Sequence, residues 1–247
     1  MDPALLAFTT HGLDVEVHRH AAYQVVLSAG EPFRSAIGGT SHEGIYGFLI
    51  GPQVPHRCTV PAGAFTVVNV DPDSRTAAYL AGLLPGPATP WVARHPRDFA
   101  TRFGLAPGGG GGGLPGLLLR RLAAAGAQPD LDVRVAEVIG VIRTAANERI
   151  DVAALARRVY LSPSRLAALF KAETGSPMSA FLMWTRLKRA VEALLAEPAR
   201  PIADVAFATG FYDPPQLAKY MYKMIGVRPA AFRQNSDLVQ VLGSGPR

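Results

Sequence analysis

The chain has 247 residues, 49% hydrophobic and 18% charged, which is enough for two domains with separate cores. Its single cysteine, Cys58, excludes an internal disulfide and favours a reducing compartment, and no run of about 18 apolar residues is present to span a membrane. The start, MDPALLAFTTHGLD, lacks the basic and apolar regions of a signal peptide, so a cytoplasmic protein with no membrane partner is expected.

The formal charge of +6 is unevenly spread. Residues 1–129 hold nine Lys and Arg against eight Asp and Glu, whereas residues 130–247 hold sixteen against eleven. All four lysines lie in the second part and all six histidines in the first. A basic second half suits a polyanionic partner, although a solvated basic face has the same composition.

From Gly12 to about Asp73, short apolar runs alternate with Gly, Pro and polar residues. Tyr23–Leu27, Ile45–Ile50 and Phe65–Val70 read as strands of a β-barrel or sandwich. Ser74–Leu84 and Arg97–Phe103 read as helices, the first capped by Asp73 or Ser74. Pro107–Gly116 contains six consecutive glycines and reads as a linker. It lacks the Lys-Ser or Lys-Thr of a phosphate loop. A helix over Leu114–Ala125 and a short hinge over Gly126–Asp130 follow.

Beyond Leu131 the pattern is helical. Val135, Val138, Ile139 and Ile142 form one apolar stripe. Asp151 caps a helix containing Leu155, Ala156 and Val159. Ser162 caps the next, with Pro163 at its first position and Gly175 at its end. A long helix over about Met178–Leu195 stops before Pro198 and Pro201. The unit then repeats with an offset of 50 or 51 residues, matching Leu155 to Val205, Ala156 to Ala206, Leu161 to Phe211, Leu166 to Leu217, Phe170 to Met221 and Gly175 to Gly226.

Each unit is a short helix, a tight turn and a capped second helix, the pattern that places a recognition helix in the DNA major groove. A connecting helix of about 18 residues spans roughly 27 Å. That approaches the roughly 34 Å between successive major grooves on one face of DNA. Residues 131–233 resemble the DNA-binding domain of the AraC/XylS family of transcriptional regulators. The resemblance rests on Leu155-Ala156, Ser162, Leu166, Phe170-Lys171, Thr174-Gly175, Arg186-Leu187, Ala190 and Leu194-Leu195. It is strongest over Ile202, Val205-Ala206, Gly210-Phe211, Asp213, Leu217, Gly226-Val227, Pro229 and Phe232-Arg233.

The departures are specific. Ala168 stands where the family usually has a long polar residue, Ala167 where a polar one is common, and Pro214-Pro215 where the second recognition helix usually starts with polar or small residues. Lys219 replaces the usual arginine, and Pro177 lies one position early. The DNA-facing set implied is Ser162, Ser164, Arg165, Ala168 and Lys171 in the first unit, and Pro214, Pro215, Gln216, Lys219 and Lys223 in the second. Few of these can bond base edges bidentately, so phosphate contacts from Arg157, Arg158, Arg186, Lys188, Arg189 and Arg228 are expected to supply much of the affinity.

In the first half, Gly12, His18-Arg19-His20, Gln24, Gly30, Pro52, Pro55 and His56 resemble the cupin barrel, and with Val70–Ser74 (VDPDS) the sensor domain of many AraC-type regulators. The resemblance implies an effector pocket lined by His18, His20, Tyr23, Gln24 and His56. A divalent metal on His18, His20, Gln24 and His56 is the lesser alternative, because Gln24 is a neutral donor where Glu is commoner. Hydrogen-bonded histidines with no ligand are the third reading.

The expected fold is α+β. It has a cupin-like barrel with flanking helices over 1–105, a linker and connecting helix over 106–130, an all-α domain of about seven helices over 131–235 and a flexible tail over 236–247. The expected function is a sequence-specific, effector-responsive transcriptional regulator without catalytic residues. Its expected partners are promoter or operator double-stranded DNA, a small-molecule effector, a second copy as homodimer and, for an activator, RNA polymerase. A metal-dependent cupin enzyme with a helical appendage and a protein-interaction module with a degenerate DNA-binding domain are the rivals.

Overall fold

The computed structural model describes residues 5–28, 30–105, 113–125, 130–145, 147–148, 150–234 and 239–242. The chain divides into two units, 1–129 with 237–247, and 130–236. Most of the glycine-rich stretch, the hinge residues 126–129 and most of the tail lie outside the described residues.

The first unit is a sheet carrying three helices. Its strands are β1 (Leu5–His18), β2 (Tyr23–Ser28), β3 (Phe33–Ile37), β4 (Thr40–Ile45), β5 (Gly47–Ile50), β6 (His56–Val70), β7 (Trp91–Ala93) and β8 (Val239–Leu242). β6 is the spine. It pairs antiparallel with β1 from Leu5↔Val70 to His18↔His56. On its other edge the first residues pair with β3 and the last with β2, from Ile37↔His56 to Tyr23↔Val70. The two halves of this long β1–β6 ribbon thus carry different neighbours, β3–β4 on one and β2–β5–β7 on the other. Among the described residues no pairing closes the path between β4 and β7.

Alternation divides the ribbon's side chains between two buried faces. Leu5, Ala7, Val25, Leu27, Leu49, Val68 and Val70 pack against the helices α1 (Arg75–Leu83), α2 (Arg97–Phe103) and α3 (Gly113–Ala123). Leu6, Phe8, Gln24, Val26, Phe48, Ile50, Val67 and Asn69 lie on the opposite face and are also buried. A strand buried on both faces reads as a largely apolar run, which makes Tyr23–Leu27 and Phe65–Val70 legible despite Gln24, Thr66 and Asn69. α3 begins at Gly113, so the last four residues of the expected linker are helical, with Pro115 in the first turn where its missing N–H costs nothing.

Tail residues Val239–Leu242 form β8, paired with Leu5–Phe8 of β1, where a flexible tail is expected. Valine alternation and an open strand edge account for the pairing.

The second unit is helical: α4 (Val133–Thr144), α5 (Val152–Arg158), α6 (Pro163–Thr174), α7 (Met178–Ala196), α8 (Ile202–Ala208), α9 (Pro214–Ile225) and α10 (Pro229–Gln234). α7 is the organising rod, burying Phe181, Trp184, Leu187, Ala190, Val191 and Leu194 at the spacing of one helix face. No helix among the described residues is long and apolar enough to cross a membrane.

Candidate nucleic-acid interface and buried histidine cluster

The two helix pairs repeat down to individual hydrogen bonds. In the first, Leu161 N donates to Ala156 O at 2.9 Å, and in the second Phe211 N donates to Ala206 O at 2.9 Å. The turn residue just before each is left-handed, Tyr160 at φ 56° and Gly210 at φ 84°. Gly210 adopts this conformation without cost, while Tyr160 carries a Cβ into it.

Each second helix is capped at both ends. Ser162 Oγ accepts from Arg165 N at 3.3 Å, and Asp213 Oδ1 accepts from Gln216 N at 2.6 Å. Prolines 163 and 214 occupy the first positions, and Gly175 and Gly226 close the helices in the left-handed conformation. Gln216 also returns its Oε1 to the Tyr212 N–H at 2.8 Å, which ties the two sides of the turn together.

Burial orients each helix. On α6, Leu166 and Phe170 are buried, and Ser164, Arg165, Ala167, Ala168 and Lys171 are exposed. On α9, Leu217, Met221, Met224 and Ile225 are buried, and Pro215, Lys219, Tyr222 and Lys223 are exposed. Pro214 is half-buried at the helix start, and Gln216 is half-buried with its carbonyl oxygen engaged in the cap. The solvent faces of the two helices therefore carry Arg165, Lys171, Lys219 and Lys223.

The long-helix cations behave differently from expectation. Arg186 donates to Glu148 O at 2.8 Å, and Arg189 donates to Arg143 O in the last turn of α4. Both guanidiniums satisfy backbone carbonyls beside α4, and burial lowers the Arg186 pKa. Arg158 is exposed but pairs with Glu137 at 2.6 Å. Lys188 is half-buried on α7, Arg157 is exposed, and exposed Arg228 lies over the Tyr222 ring at 5.4 Å.

Sequence reasoning missed the aromatics beside the caps. Tyr160 is 96% exposed and Tyr212 83% exposed, each within two residues of an N-cap. A large aromatic in a tight turn with no apolar partner in register is the signal that marks them.

In the first unit the fold gathers His18, His20 and His56. One ring nitrogen from each lies within 4.8 Å of the others, and all three residues are buried. Ring centroids are 4.1 Å apart for His18–His56, 5.0 Å for His20–His56 and 5.7 Å for His18–His20. The cross-strand pair His18↔His56 sets the first contact. His20 follows in the connection to β2, where its carbonyl accepts from Gln53 N at 2.8 Å.

Each Nδ1 meets a carbonyl two residues away along its own chain: His18 with Glu16 O at 2.9 Å, His20 with Ala22 O at 3.0 Å and His56 with Val54 O at 3.0 Å. A carbonyl only accepts, so the Nδ1 carries the proton and the neutral ring's lone pair sits on Nε2. Burial, then the neighbouring His18, pushes His20 down to about 3. Burial, His20 and His18 likewise hold His56 well below the usual imidazole range.

The other expected effector residues do not join the cluster. Gln24 donates its side-chain amide to Asn69 Oδ1 at 3.0 Å. Tyr23 turns to the opposite face and packs on the helix-side core, because adjacent strand residues alternate. Cys58 is a buried thiol whose pKa burial pushes up to about 12.

Two capped helix pairs on one rod, with cations on the solvent faces of the second helices, define a double helix-turn-helix module. A family model described as a helix-turn-helix domain matches residues 155–235. The arabinose operon regulatory protein of Escherichia coli is 36% identical over 129 residues, covering 50% of this chain and 43% of that protein. Its Salmonella typhimurium counterpart is 34% identical over 129 residues, with 50% and 45% covered. The chain thus spans less than half the length of these curated relatives. The crystal structure of apo ToxT K231A from Vibrio cholerae aligns with 94% of this chain and 97% of its own at a TM-score of 0.58, with 11% identity, a likeness of fold alone. The helical unit carries a helix-turn-helix domain, matched over residues 155–235.

Proposed function

We propose that the chain is a DNA-binding transcriptional regulator whose sheet-bearing unit receives a small ligand. The observation that carries the reading is the repeated helix pair, matched at the Leu161–Ala156 and Phe211–Ala206 hydrogen bonds, with a cationic solvent face on each second helix. Arg165 and Lys219 are the groups able to bond base edges, with Lys171 and Lys223 in the last turns of their helices. The Tyr160 and Tyr212 hydroxyls suit phosphate oxygens beside the helix starts. Promoter or operator DNA, a homodimer and, for an activator, RNA polymerase are the partners this role implies. ToxT, whose fold the chain resembles, has been solved bound to (E)-4-(8-methylnaphthalen-1-yl)but-3-enoic acid. A small organic ligand for this chain is consistent with that likeness.

The test is selection of random and genomic DNA fragments by the purified chain at two salt concentrations. Enrichment of a motif with two half-sites about one helical turn apart is expected. Substitution Arg165→Ala should relax preference at one position by about 1–3 kcal/mol.

A protein-binding lobe is the second reading, favoured by the exposed Ala167, Ala168 and Pro215 on the two recognition helices. Absence of salt-dependent DNA binding, with and without ligands soaked into the sheet unit, would select it.

A further inference from the structure

The two second helices share one register and differ in chemistry. α6 (Pro163–Thr174) and α9 (Pro214–Ile225) are each 12 residues long, start on proline and end on a left-handed glycine, with an offset of 51 residues. That offset sets Leu217 on Leu166 and Met221 on Phe170, all four buried, so matched positions face the same way on the two helices. Among the outward residues, Arg165 then matches Gln216, and Ala168 matches Lys219.

At the first of these positions the long side chain is available in one unit and engaged in the other. Arg165 gives only its backbone N–H to the cap, and its guanidinium has no partner among the described residues. Gln216 returns its Oε1 to the Tyr212 N–H at 2.8 Å. At the second position the roles reverse. Lys219 is an exposed ammonium without a partner among the described residues, whereas Ala168 presents a bare methyl group beside the equally exposed Ala167. Each helix therefore offers one long donor at this pair of positions, one turn earlier on α6 than on α9.

A methyl group also has a partner in DNA. The thymine C5-methyl is the apolar group exposed in the major groove, and alanine is among the side chains that contact it. Arg165 and Ala168 lie three residues apart on one face, about 4.5 Å along the helix axis. Base pairs stack at about 3.4 Å, so the two side chains address pairs one or two steps apart. Ala167 and Ala168 also let the helix come close to the base edges, which a one-carbon side chain requires. Charge complementarity selects the ligand. Arg165 and Lys171, both exposed cations, flank Ala168 three residues to either side, and a methyl set between two cations suits a polyanion.

We propose that Ala168 is a specificity residue of the first helix-turn-helix unit, reading a thymine through its 5-methyl group one or two base pairs from the guanine bonded by Arg165. Lys219, at the matched position of the second unit, reads a guanine there, so the two half-sites differ in sequence although the helices are repeats. This inference rests on the DNA-binding reading above.

The experiment uses the full chain and the duplex it enriches from random DNA. Each thymine in turn is replaced by deoxyuridine, which removes only the methyl group, and affinity is read by fluorescence anisotropy. One thymine should respond, its loss weakening binding about fourfold, the value of one buried methyl-sized group. It should lie within about two base pairs of the position at which Arg165→Ala relaxes preference. Ala168→Gly should bind the thymine and deoxyuridine duplexes alike, whereas Lys219→Ala should keep the fourfold ratio. Selection repeated with Ala168→Lys should put guanine in place of that thymine. If Ala168→Gly loosens the helix, the Ala168→Lys selection decides: guanine supports the assignment, and an unchanged thymine overturns it. A motif in which no thymine responds, a responsive thymine farther away, or a ratio that survives Ala168→Gly overturns the assignment and leaves DNA binding standing, as does DNA binding that enriches no motif. A chain that binds no DNA at either salt refutes the regulator reading itself, and this inference with it.

Discussion

Replacing the four cations on the solvent faces of α6 and α9, Arg165, Lys171, Lys219 and Lys223, should flatten the salt dependence of DNA binding. All four are exposed, and the capping bonds of their helices use only the backbone atoms of Arg165 and Lys171 among them. Each phosphate neutralised releases counterions worth a slope of about 0.9 in log K against log salt. Raising salt from about 50 to about 200 mM thus weakens binding about 3.5-fold per contact, and about 150-fold for four. The quadruple alanine variant should lose that part of the slope, read by fluorescence anisotropy on a fixed duplex across a salt series. Arg186→Ala is the contrasting variant. Arg186 lies on α7, off the two recognition helices, and donates to Glu148 O, so the slope should hold while the helical unit loses about 1 kcal/mol of stability. A quadruple variant with an unchanged slope, or an Arg186 variant that flattens it, would refute the assignment of the DNA-facing surface to α6 and α9.

Three further outcomes are expected. A Cβ at Gly47 would lie 2.1 Å from Val26 O and 2.5 Å from the Phe99 ring, so Gly47→Ala should cost about 3 kcal/mol or more and lower the melting of the sheet unit while sparing the helical unit. Tyr160→Gly removes a left-handed strain of about 1–2 kcal/mol against about 0.5–1 kcal/mol of added chain entropy. It should leave stability equal or slightly higher by thermal denaturation, and weaken DNA binding if the phenol meets a phosphate. With chelator present, the sheet unit should lose stability as pH falls. His20 and His56 stay neutral in the fold and gain a proton only on unfolding, so their contribution is complete above the unfolded value of 6.5. It declines below that by at most about 1.4 kcal/mol per pH unit for each residue, towards the folded value of about 3 for His20. A melting temperature flat from neutral to mildly acid pH would contradict that picture.

The helical unit was legible because its information is local. Caps at Asp151 and Ser162, prolines at helix starts and glycines at helix ends act within one turn, and burial follows a fixed period. The repeat doubled each signal, and so the register of the two units could be read without any long-range contact. In the sheet unit the helices were legible, but of the strands only the interior ones, read as Tyr23–Leu27, Ile45–Ile50 and Phe65–Val70, whose residues are buried on both faces. β1 mixes apolar residues with Thr, His, Gly, Asp and Glu, and it is a strand because β6 pairs with it along its length.

Which polar groups meet was decided by tertiary structure alone. Arg186 and Arg189 read as surface cations, yet the end of α4 lies beside them and takes their guanidiniums. Tyr23 and Gln24 are neighbours in sequence and belong to opposite faces of a pleated strand, one against the helices and one against Asn69. His18 and His20 lie two residues apart, but His56 reaches them only because β6 runs antiparallel to β1 in a register that sets His18 opposite His56. Residue type and local period are properties of the chain, whereas partnership between groups distant in sequence depends on strand register and helix packing, which exist only once the chain has folded.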